Sequence, residues 1–310
     1  MAKHRNGASR ILVNFLFFSV FALVTTESAA ENKAPEVKCP EKADIAPKLP
    51  RSATYKGLPY GAGEQSRYEL NYGALNVHVG YGFIRVLPPV KRNVAVGGDR
   101  LKNQVVYEKR WHRVFSAEGF TGDWYKMIFR AKDNIHALVR PWDGGASHFY
   151  ISQDESKPFG RDYRREKWLD YNHVTCKTKT KDVEHHQGKS KIKSYDLEPG
   201  AMDAISAVFK LRSHDHVLGK TAKFLVYTSE KNWWLQATPV REEVTQVKYG
   251  KFNAIVLRVQ SYLGEDLQQS GELLVWIAKD HPNRLLLKVE GQVRFGSFYI
   301  ELDQYQPGNA

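Results

Sequence analysis

Apolar and polar residues alternate with a period of two along most of this chain, as expected for half-buried β-strands. The alternation begins at Tyr68, Leu70 and Tyr72, whose neighbours are polar. A longer run then places the following apolar residues on one face: Leu75, Val77, Val79, Tyr81 and Phe83. About a dozen such runs with short connections predict a mostly antiparallel meander, which must curl, split or close.

The remaining alternating runs set the predicted strand positions along the chain. They lie at Gln104–Val114, Trp124–Arg130, Ile135–Pro141, Ser147–Ser152, Tyr163–Tyr171, Ala222–Thr228, Asn232–Pro239, Glu243–Tyr249, Asn253–Tyr262, Gly271–Ala278, Arg284–Glu290 and Gln292–Leu302. Tight turns are predicted at Asp280–Asn283 and at Glu290-Gly291. The polar, basic residues Lys177–Ser194 predict an exposed hairpin end or loop.

One stretch, Gly200–Ser213, has helical spacing instead. Its stripe is Met202, Ile205, Val208, Phe209 and Arg212, with Pro199 and Gly200 before it and Asp203 in the predicted first turn. A single amphipathic helix must bury its stripe against a sheet. We therefore expect a mainly β fold: a strongly curved antiparallel sheet, or a half-open or closed β-barrel, with one helix (about 201–213) packed on or inside it.

The first 30 residues have the features of a secretory signal peptide. Basic residues precede the apolar run Ile11–Val24, and small residues precede a predicted cleavage after Ala30. An uncleaved anchor is the alternative, but the run is shorter than the roughly 20 residues that a spanning helix needs. We expect a periplasmic protein with no transmembrane span in the mature chain, an extended Pro/Lys-rich segment (31–66), a single β-rich domain (67–303) and a tail (304–310).

Charge and cysteine content bear on the partners and on the compartment. The formal net charge is +12, which favours anionic surfaces. For an exported protein these are lipid, lipopolysaccharide or anionic glycan rather than nucleic acid; dispersed charge that only aids solubility is the alternative. Cys39 and Cys176 are the only cysteines. They can form a disulfide in an oxidising compartment, and two buried free thiols are the alternative.

Catalytic and metal-binding motifs are not found. The chain has no GxSxG, HExxH, Walker or paired CxxC motif. His185-His186 lies in the charged segment, and His214-x-His216 follows the helix, where a capping role is favoured over a metal site. We expect no cofactor, no metal and no enzymatic activity, although nothing in the spacing selects or excludes a glycosidase-like pair of carboxylates.

Aromatic residues with basic neighbours provide the candidate ligand-binding residues. Tryptophan and arginine are frequent anchors of binding surfaces, although core packing and cation–π contacts are the alternative for each one. Trp233 and Trp234 must point to opposite faces of a strand. The candidates are Trp142, Trp168, Trp233, Trp234, Arg140, Arg165, and Phe209 and Met202 from the helix.

Four segments together resemble a known bacterial family of exported proteins, domain of unknown function 3108. They are Tyr68–Gly73, Asp203–Arg212 (with Ala204 where the family has proline), Gly271–Asp280 and Phe295–Leu302. The resemblance spans roughly 67–303. It implies a β-rich fold and an envelope location, supplies no catalytic residue, and suggests a sheet clasping its helix as in periplasmic lipoprotein carriers, with a groove for acyl chains.

Three functions are consistent with this sequence. The first is a non-enzymatic periplasmic protein that binds an amphiphilic or anionic envelope component. The second is a structural envelope protein that binds a protein partner. The third is a hydrolase of wall or surface glycan, which needs two carboxylates facing one cleft.

Overall fold

The computed structural model describes residues 37–44, 55–73, 75–124, 126, 129–156, 162–268, 271–293 and 296–309. The predicted signal peptide and its cleavage position after Ala30 lie outside these residues. The described part is mainly β, and its strands form one 16-stranded antiparallel sheet.

The strands are long and closely spaced in the chain. The first eight are β1 (Lys42–Asp44), β2 (Gln65–Tyr72), β3 (Val77–Asp99), β4 (Gln104–Thr121), β5 (Arg130–Val139), β6 (Ala146–Ser156), β7 (Tyr163–Asn172) and β8 (Lys177–Glu184). The next eight are β9 (Lys189–Asp196), β10 (Ala222–Thr228), β11 (Lys231–Val247), β12 (Gly250–Leu263), β13 (Asp266–Leu267), β14 (Leu273–Ala278), β15 (Leu286–Val293) and β16 (Gly296–Gln306).

The sheet runs in the order β10-β11-β12-β14-β15-β16-β2-β3-β4-β5-β6-β7-β8-β9, with β1 added to β3 and β13 added to β12. Its two ends, β9 and β10, are not paired with each other in this order, so the curved sheet is not closed. This confirms the predicted curved antiparallel sheet with one helix and selects the open form over the closed barrel.

The helix, α1 (Ala204–Ser213), lies in the chain between the two edge strands β9 and β10. Asp203 is its N-cap and accepts a hydrogen bond from the Ser206 N–H at 2.9 Å. The predicted start near 201 is wrong. Met202 instead forms a parallel bridge with Val226 and donates its N–H to the Leu225 carbonyl at 2.9 Å. Its backbone therefore pairs with the sheet, and the helix begins after it.

The helix packs on the inner face of the sheet, which we define as the face that carries Phe115. The ring of Phe209 stacks on Phe115 with 3.9 Å between centroids and meets Tyr60 edge-on at 4.9 Å. Ile205 and Leu211 are also buried in this core. Helix side chains therefore pack against the apolar part of the inner face.

The far ends of β3 and β4, residues 90–110, form an extension that we call the arm. It begins at a register shift between Leu87 and Val90, where Pro88 and Pro89 have no N–H to donate to the ladder. The Tyr55 hydroxyl replaces the missing ladder bonds: it donates to the Leu87 carbonyl at 2.9 Å and accepts from the Val114 N–H at 3.3 Å.

The tip of the arm is tied to the turn between β7 and β8. The Asn172 amide donates to the Tyr107 hydroxyl at 3.3 Å. Cys39 and Cys176 form a disulfide with 5.8 Å between their Cα atoms, and β1 pairs with the tip at Asp99. In the chain-entropy model a cross-link over such a long loop stabilises the fold by about 4–5 kcal/mol.

Two local predictions are wrong, and a third is decided between its two alternatives. The described residues of Trp124–Arg130 do not form a separate strand: β4 ends at Thr121, Trp124 is 73% exposed, and Arg130 is the first residue of β5. Glu290-Gly291 is not a turn: Gly291 lies within β15 opposite Phe298, and a Cβ on it would lie 2.4 Å from that ring, so close approach explains this glycine. For residues 177–194 the predicted hairpin is confirmed over the loop: they lie in the β8–β9 hairpin, whose lysines protect an exposed sheet edge.

Candidate functional site

The structure distributes the eight candidate residues over separate places. Met202, Phe209 and Trp233 are buried in the core. Trp234 is on the opposite face of β11 from Trp233 and is 36% exposed. The remaining four lie at β7 and at the turn between β5 and β6.

The two candidates on β7 have partners within the protein. Arg165 forms a bidentate ion pair with Asp182, with N–O distances of 2.8 and 2.5 Å. The Asp182 hydrogen bond is the main cause that raises the pKa of Arg165 above its usual value. Trp168 is half-buried on the other face, with the Lys181 ammonium 5.1 Å from its ring.

Arg140 and Trp142 lie together in the turn between β5 and β6. Arg140 is 1% exposed. Its Nε and Nη2 donate to the two oxygens of Asp143 at 3.0 and 2.5 Å, and its guanidinium carbon lies 5.8 Å from the Trp142 ring. A Cβ on Gly145 would lie 2.3 Å from Arg140 Nη2, so this glycine is required for the arginine to lie against the turn.

His112 on β4 packs beside this turn at the base of the arm. Its ring centroid is 6.5 Å from that of Trp142, and the residue is fully buried. Nδ1 lies 3.1 Å from the Arg110 carbonyl, which can only accept, so Nδ1 carries the proton. Burial, followed by the charges of Arg140 and Arg92, lowers the pKa of His112 to about 4. At neutral pH the ring is uncharged and Nε2 is an acceptor.

Four buried polar atoms in this group have no hydrogen-bond partner among the described residues. They are Arg110 Nε, His112 Nε2, Arg140 Nη1 and Trp142 Nε1, and we call these four residues the arm-base cluster. Three of the atoms are donors and one is an acceptor. Folded proteins pair nearly all such atoms with protein groups, water or ligands, so these four atoms are candidates for contact with water or a ligand.

Positive charge is concentrated at the same place. Arg110 lies directly opposite Arg92 in the β3–β4 register, and like charges at such positions destabilise a sheet. Glu108 pairs with Arg110 at 2.5 Å and Asp143 pairs with Arg140, which leaves Arg92 as excess positive charge. The cluster can therefore bind an anion.

The sequence analysis selected Arg140 and Trp142 but not Arg110 or His112. A signal was present, because alternate residues of a strand share a face and both missed residues belong to a basic stretch around Trp111. The β4–β5 register, in which Arg113 pairs with Val139, brings the stretch around Trp111 next to the turn that carries Arg140 and Trp142. That register is a long-range feature.

A second polar group lies on strands β5 and β6. Asp133 and Glu155 are each 4% exposed. Burial and the nearby charge of Glu155 raise the pKa of Asp133 well above its usual value, and a hydrogen bond from Gln153 opposes the shift. Burial therefore favours the protonated form of Asp133.

The histidine pairs have structural contacts. His216 Nε2 donates to the Leu211 carbonyl at 2.8 Å, Asp215 pairs with Arg284, and His185 pairs with Glu166. The described residues contain no group of three or more potential metal-ligating side chains. They also contain no helix that is both long and apolar enough to cross a membrane.

Three solved structures are similar to this chain at 8–10% sequence identity. A β-barrel-like protein of domain of unknown function DUF1849 from Brucella abortus has a TM-score of 0.48, with 80% of this chain and 98% of that chain covered. A "putative exported protein with YmcC-like fold" from Bacteroides fragilis has a TM-score of 0.31, with 80% and 98% covered. A "putative lipoprotein" from Parabacteroides distasonis has a TM-score of 0.30, with 80% and 97% covered.

No curated protein matches the chain. A family model does match, over residues 104–303, and its description is "Protein of unknown function (DUF3108)". The match includes the arm-base residues Arg110, His112, Arg140 and Trp142. It covers more than half of the chain and confirms the resemblance found in the sequence. The chain therefore belongs to the DUF3108 family.

Proposed function

We propose that this protein is an exported, non-enzymatic protein of the periplasm that binds an anionic component of the cell envelope at the arm-base cluster. The observation that carries the proposal is the set of buried donor atoms without partners on Arg110, Arg140 and Trp142. A buried donor without a partner costs about 1–3 kcal/mol. An oxyanion that accepts from all three removes this cost and neutralises excess positive charge.

A second Arg–Trp pair in the same molecule supports this interpretation. Arg241 lies over Trp276 at 5.7 Å, nearly the same separation as between Arg140 and Trp142. There Glu243 accepts from both Trp276 Nε1, at 2.6 Å, and Arg241 Nε, at 2.7 Å. At the arm base Asp143 accepts from Arg140 and from the Gly145 N–H, but not from Trp142. A ligand oxygen can therefore accept from Trp142 Nε1, as Glu243 Oε1 does from Trp276 Nε1.

The proposal concerns the anionic head of an envelope component rather than an acyl chain. Phe209, Phe115 and Tyr60 occupy the apolar part of the inner face. Farther along this face lies the Arg165–Asp182 ion pair. Export is supported by the signal-like residues 1–30 and by the disulfide, which is typical of oxidising compartments.

The test is thermal unfolding of the mature, disulfide-bonded protein in sodium phosphate and in sodium chloride of equal ionic strength. Binding to the folded state raises stability by about 2.7 kcal/mol at a hundredfold excess over Kd. We expect phosphate to raise the Tm of the natural protein and of Arg241→Met, the matched control, but not of Arg140→Met. Equal shifts in all three proteins would show general screening of charge and would contradict the proposal.

A further inference from the structure

The arm-base cluster also indicates which anion it prefers. We propose that its ligand is a phosphoryl group that carries a proton, either inorganic phosphate or a phosphate monoester in its monoanionic form, in preference to sulfate or a phosphodiester. This inference rests on the proposed function, because it names the chemical class of ligand for the same site.

The first argument is the number and kind of open atoms. Arg110 Nε and Trp142 Nε1 each carry one N–H, Arg140 Nη1 carries two, and His112 Nε2 can accept one hydrogen bond. A tetrahedral oxyanion with one protonated oxygen has lone pairs for the four N–H groups and one O–H that can donate to the acceptor. An ionised carboxylate has no proton to donate and would leave His112 Nε2 open.

The second argument is the fixed proton of His112. The Arg110 carbonyl at 3.1 Å holds the proton on Nδ1, so Nε2 offers a lone pair to the ligand. The charged groups near the ring, Arg140 and Arg92, oppose its protonation, and His148 acts in the same direction. An anion without a proton would place its own lone pairs against that of Nε2, whereas a P–OH group donates to it.

The third argument concerns access. His112 and Arg140 are essentially buried, at 0% and 1% exposure. Trp142 is partly exposed, and 28% of the Arg110 side chain is exposed. Trp142 and Arg110 therefore form the edge of the cluster that contacts solvent. His112 and Arg140 form its buried base, which discriminates between anions. Water-excluded polar groups discriminate most strongly against ligands that leave them unpaired.

The experiment is titration calorimetry of the mature, disulfide-bonded protein at neutral pH with inorganic phosphate and with sulfate at equal ionic strength. Inorganic phosphate carries at least one proton at this pH and sulfate carries none. We expect phosphate to bind at least ~100-fold more tightly than sulfate. Equal affinities for the two anions would overturn the inference but leave the proposed function standing, whereas binding of neither anion would overturn both.

Two variants separate the acceptor from the donors. In His112→Phe, which keeps a ring in the site, phosphate affinity should fall by about tenfold or more while sulfate affinity does not fall. In Trp142→Phe both affinities should fall by similar factors. If His112→Phe does not fold, the ratio of phosphate affinity to sulfate affinity in the natural protein is the test of the inference. A His112→Phe protein that keeps the natural selectivity overturns the assigned role of Nε2.

The free ion and a lipid headgroup are distinguished with vesicles. Phosphatidylcholine vesicles that contain phosphatidate present a monoester, and matched vesicles with phosphatidylglycerol present a diester. The second pKa of a monoester is about 6, so binding is measured at that pH. Preference for phosphatidate identifies a lipid headgroup as a ligand, and tight phosphate binding without vesicle binding identifies the free ion. Equal binding to both vesicle types at the natural cluster overturns the preference for a protonated phosphoryl group.

Discussion

Two arginines in the described part of the chain are almost completely buried, and their surroundings differ. Arg212 of α1, 3% exposed, uses every side of its guanidinium. Nη1 donates to Glu64 at 2.6 Å. Nη2 and Nε donate to the backbone carbonyls of Pro59, Asn283 and Arg284 at 2.8–3.2 Å. Arg140, 1% exposed, has Asp143 on one side and an Nη1 without a partner.

Two buried histidines show the same contrast. His173 donates from Nε2 to the Ala146 carbonyl at 2.6 Å and accepts at Nδ1 from the Gly200 N–H at 3.0 Å. His112 donates from Nδ1 and has an open Nε2. Burial alone therefore does not show whether a polar side chain has all its hydrogen-bond partners. Arg212 and His173 have partners on every side, whereas Arg140 and His112 each keep one open nitrogen.

The largest expected effect tests the fully paired arginine. Arg212→Met leaves Glu64, 2% exposed, as a buried charge without its cation. Breaking a buried pair in this way typically costs 3–5 kcal/mol. We expect denaturant unfolding to show a loss of about that size, with anion binding retained in the folded fraction.

We expect Arg140→Met to lower stability less than Arg212→Met does, but to abolish phosphate binding. Its partner Asp143 is 36% exposed and can be solvated by water, so we expect a loss of less than about 2 kcal/mol, together with loss of phosphate binding. A stability loss as large as that of Arg212→Met would show that Arg140 is a structural arginine and would remove the contrast.

Much of the fold could be predicted from the sequence, because a period of two is a local signal. It indicated the strands and, with one helical stretch, the curved sheet. The errors arise where tertiary contacts override local patterns. Met202 pairs with Val226 instead of starting the helix, and Gly291 accommodates Phe298 instead of making a turn.

The candidate site was predicted only in half. Arg140 and Trp142 were selected for their composition, which is local. His112 is an ordinary histidine in the sequence, and its role depends on the β4–β5 register and on the break at Pro88. β4 and β5 are consecutive strands, but local alternation does not give the register that places His112 beside the turn after β5.

The next effect concerns pH and tests whether both histidines are neutral in the fold. Burial lowers the pKa of His173 to about 3 and is the main cause that lowers that of His112 to about 4. Unfolded histidine titrates near 6.5, so neither histidine lowers the free energy of unfolding above that pH. As pH falls from 6.5 towards the pKa values of the folded state, the unfolded chain takes up protons that the folded protein does not, and the fold loses stability. Between pH 6.5 and 5 each should contribute a loss of about 2 kcal/mol.

Two buried carboxyl groups partly offset this loss. The pKa of Asp133 is raised well above its usual value by burial, and Asp203 acts in the same direction. Burial raises its pKa to about 6, so ionising it destabilises the fold as pH rises from about 4 to 6, and acidification relieves that cost. Denaturant unfolding at pH 6.5 and 5 should therefore show a net loss. His112→Phe and His173→Asn should each reduce it by about 2 kcal/mol. An unchanged loss in either variant would mean that the histidine is not held neutral.

The smallest expected effect comes from Gly145→Ala, which tests positioning without changing any charge. The added methyl would lie 2.3 Å from Arg140 Nη2, and crowding of this kind typically costs about 1 kcal/mol when a side chain can move away. Arg140 keeps its charge and its access to Asp143 but loses its fixed place beside Trp142. We therefore expect a small decrease in the free energy of unfolding and about a tenfold weaker phosphate affinity by calorimetry. Unchanged affinity would mean that the charge of Arg140 is sufficient and that its precise position beside Trp142 is not required.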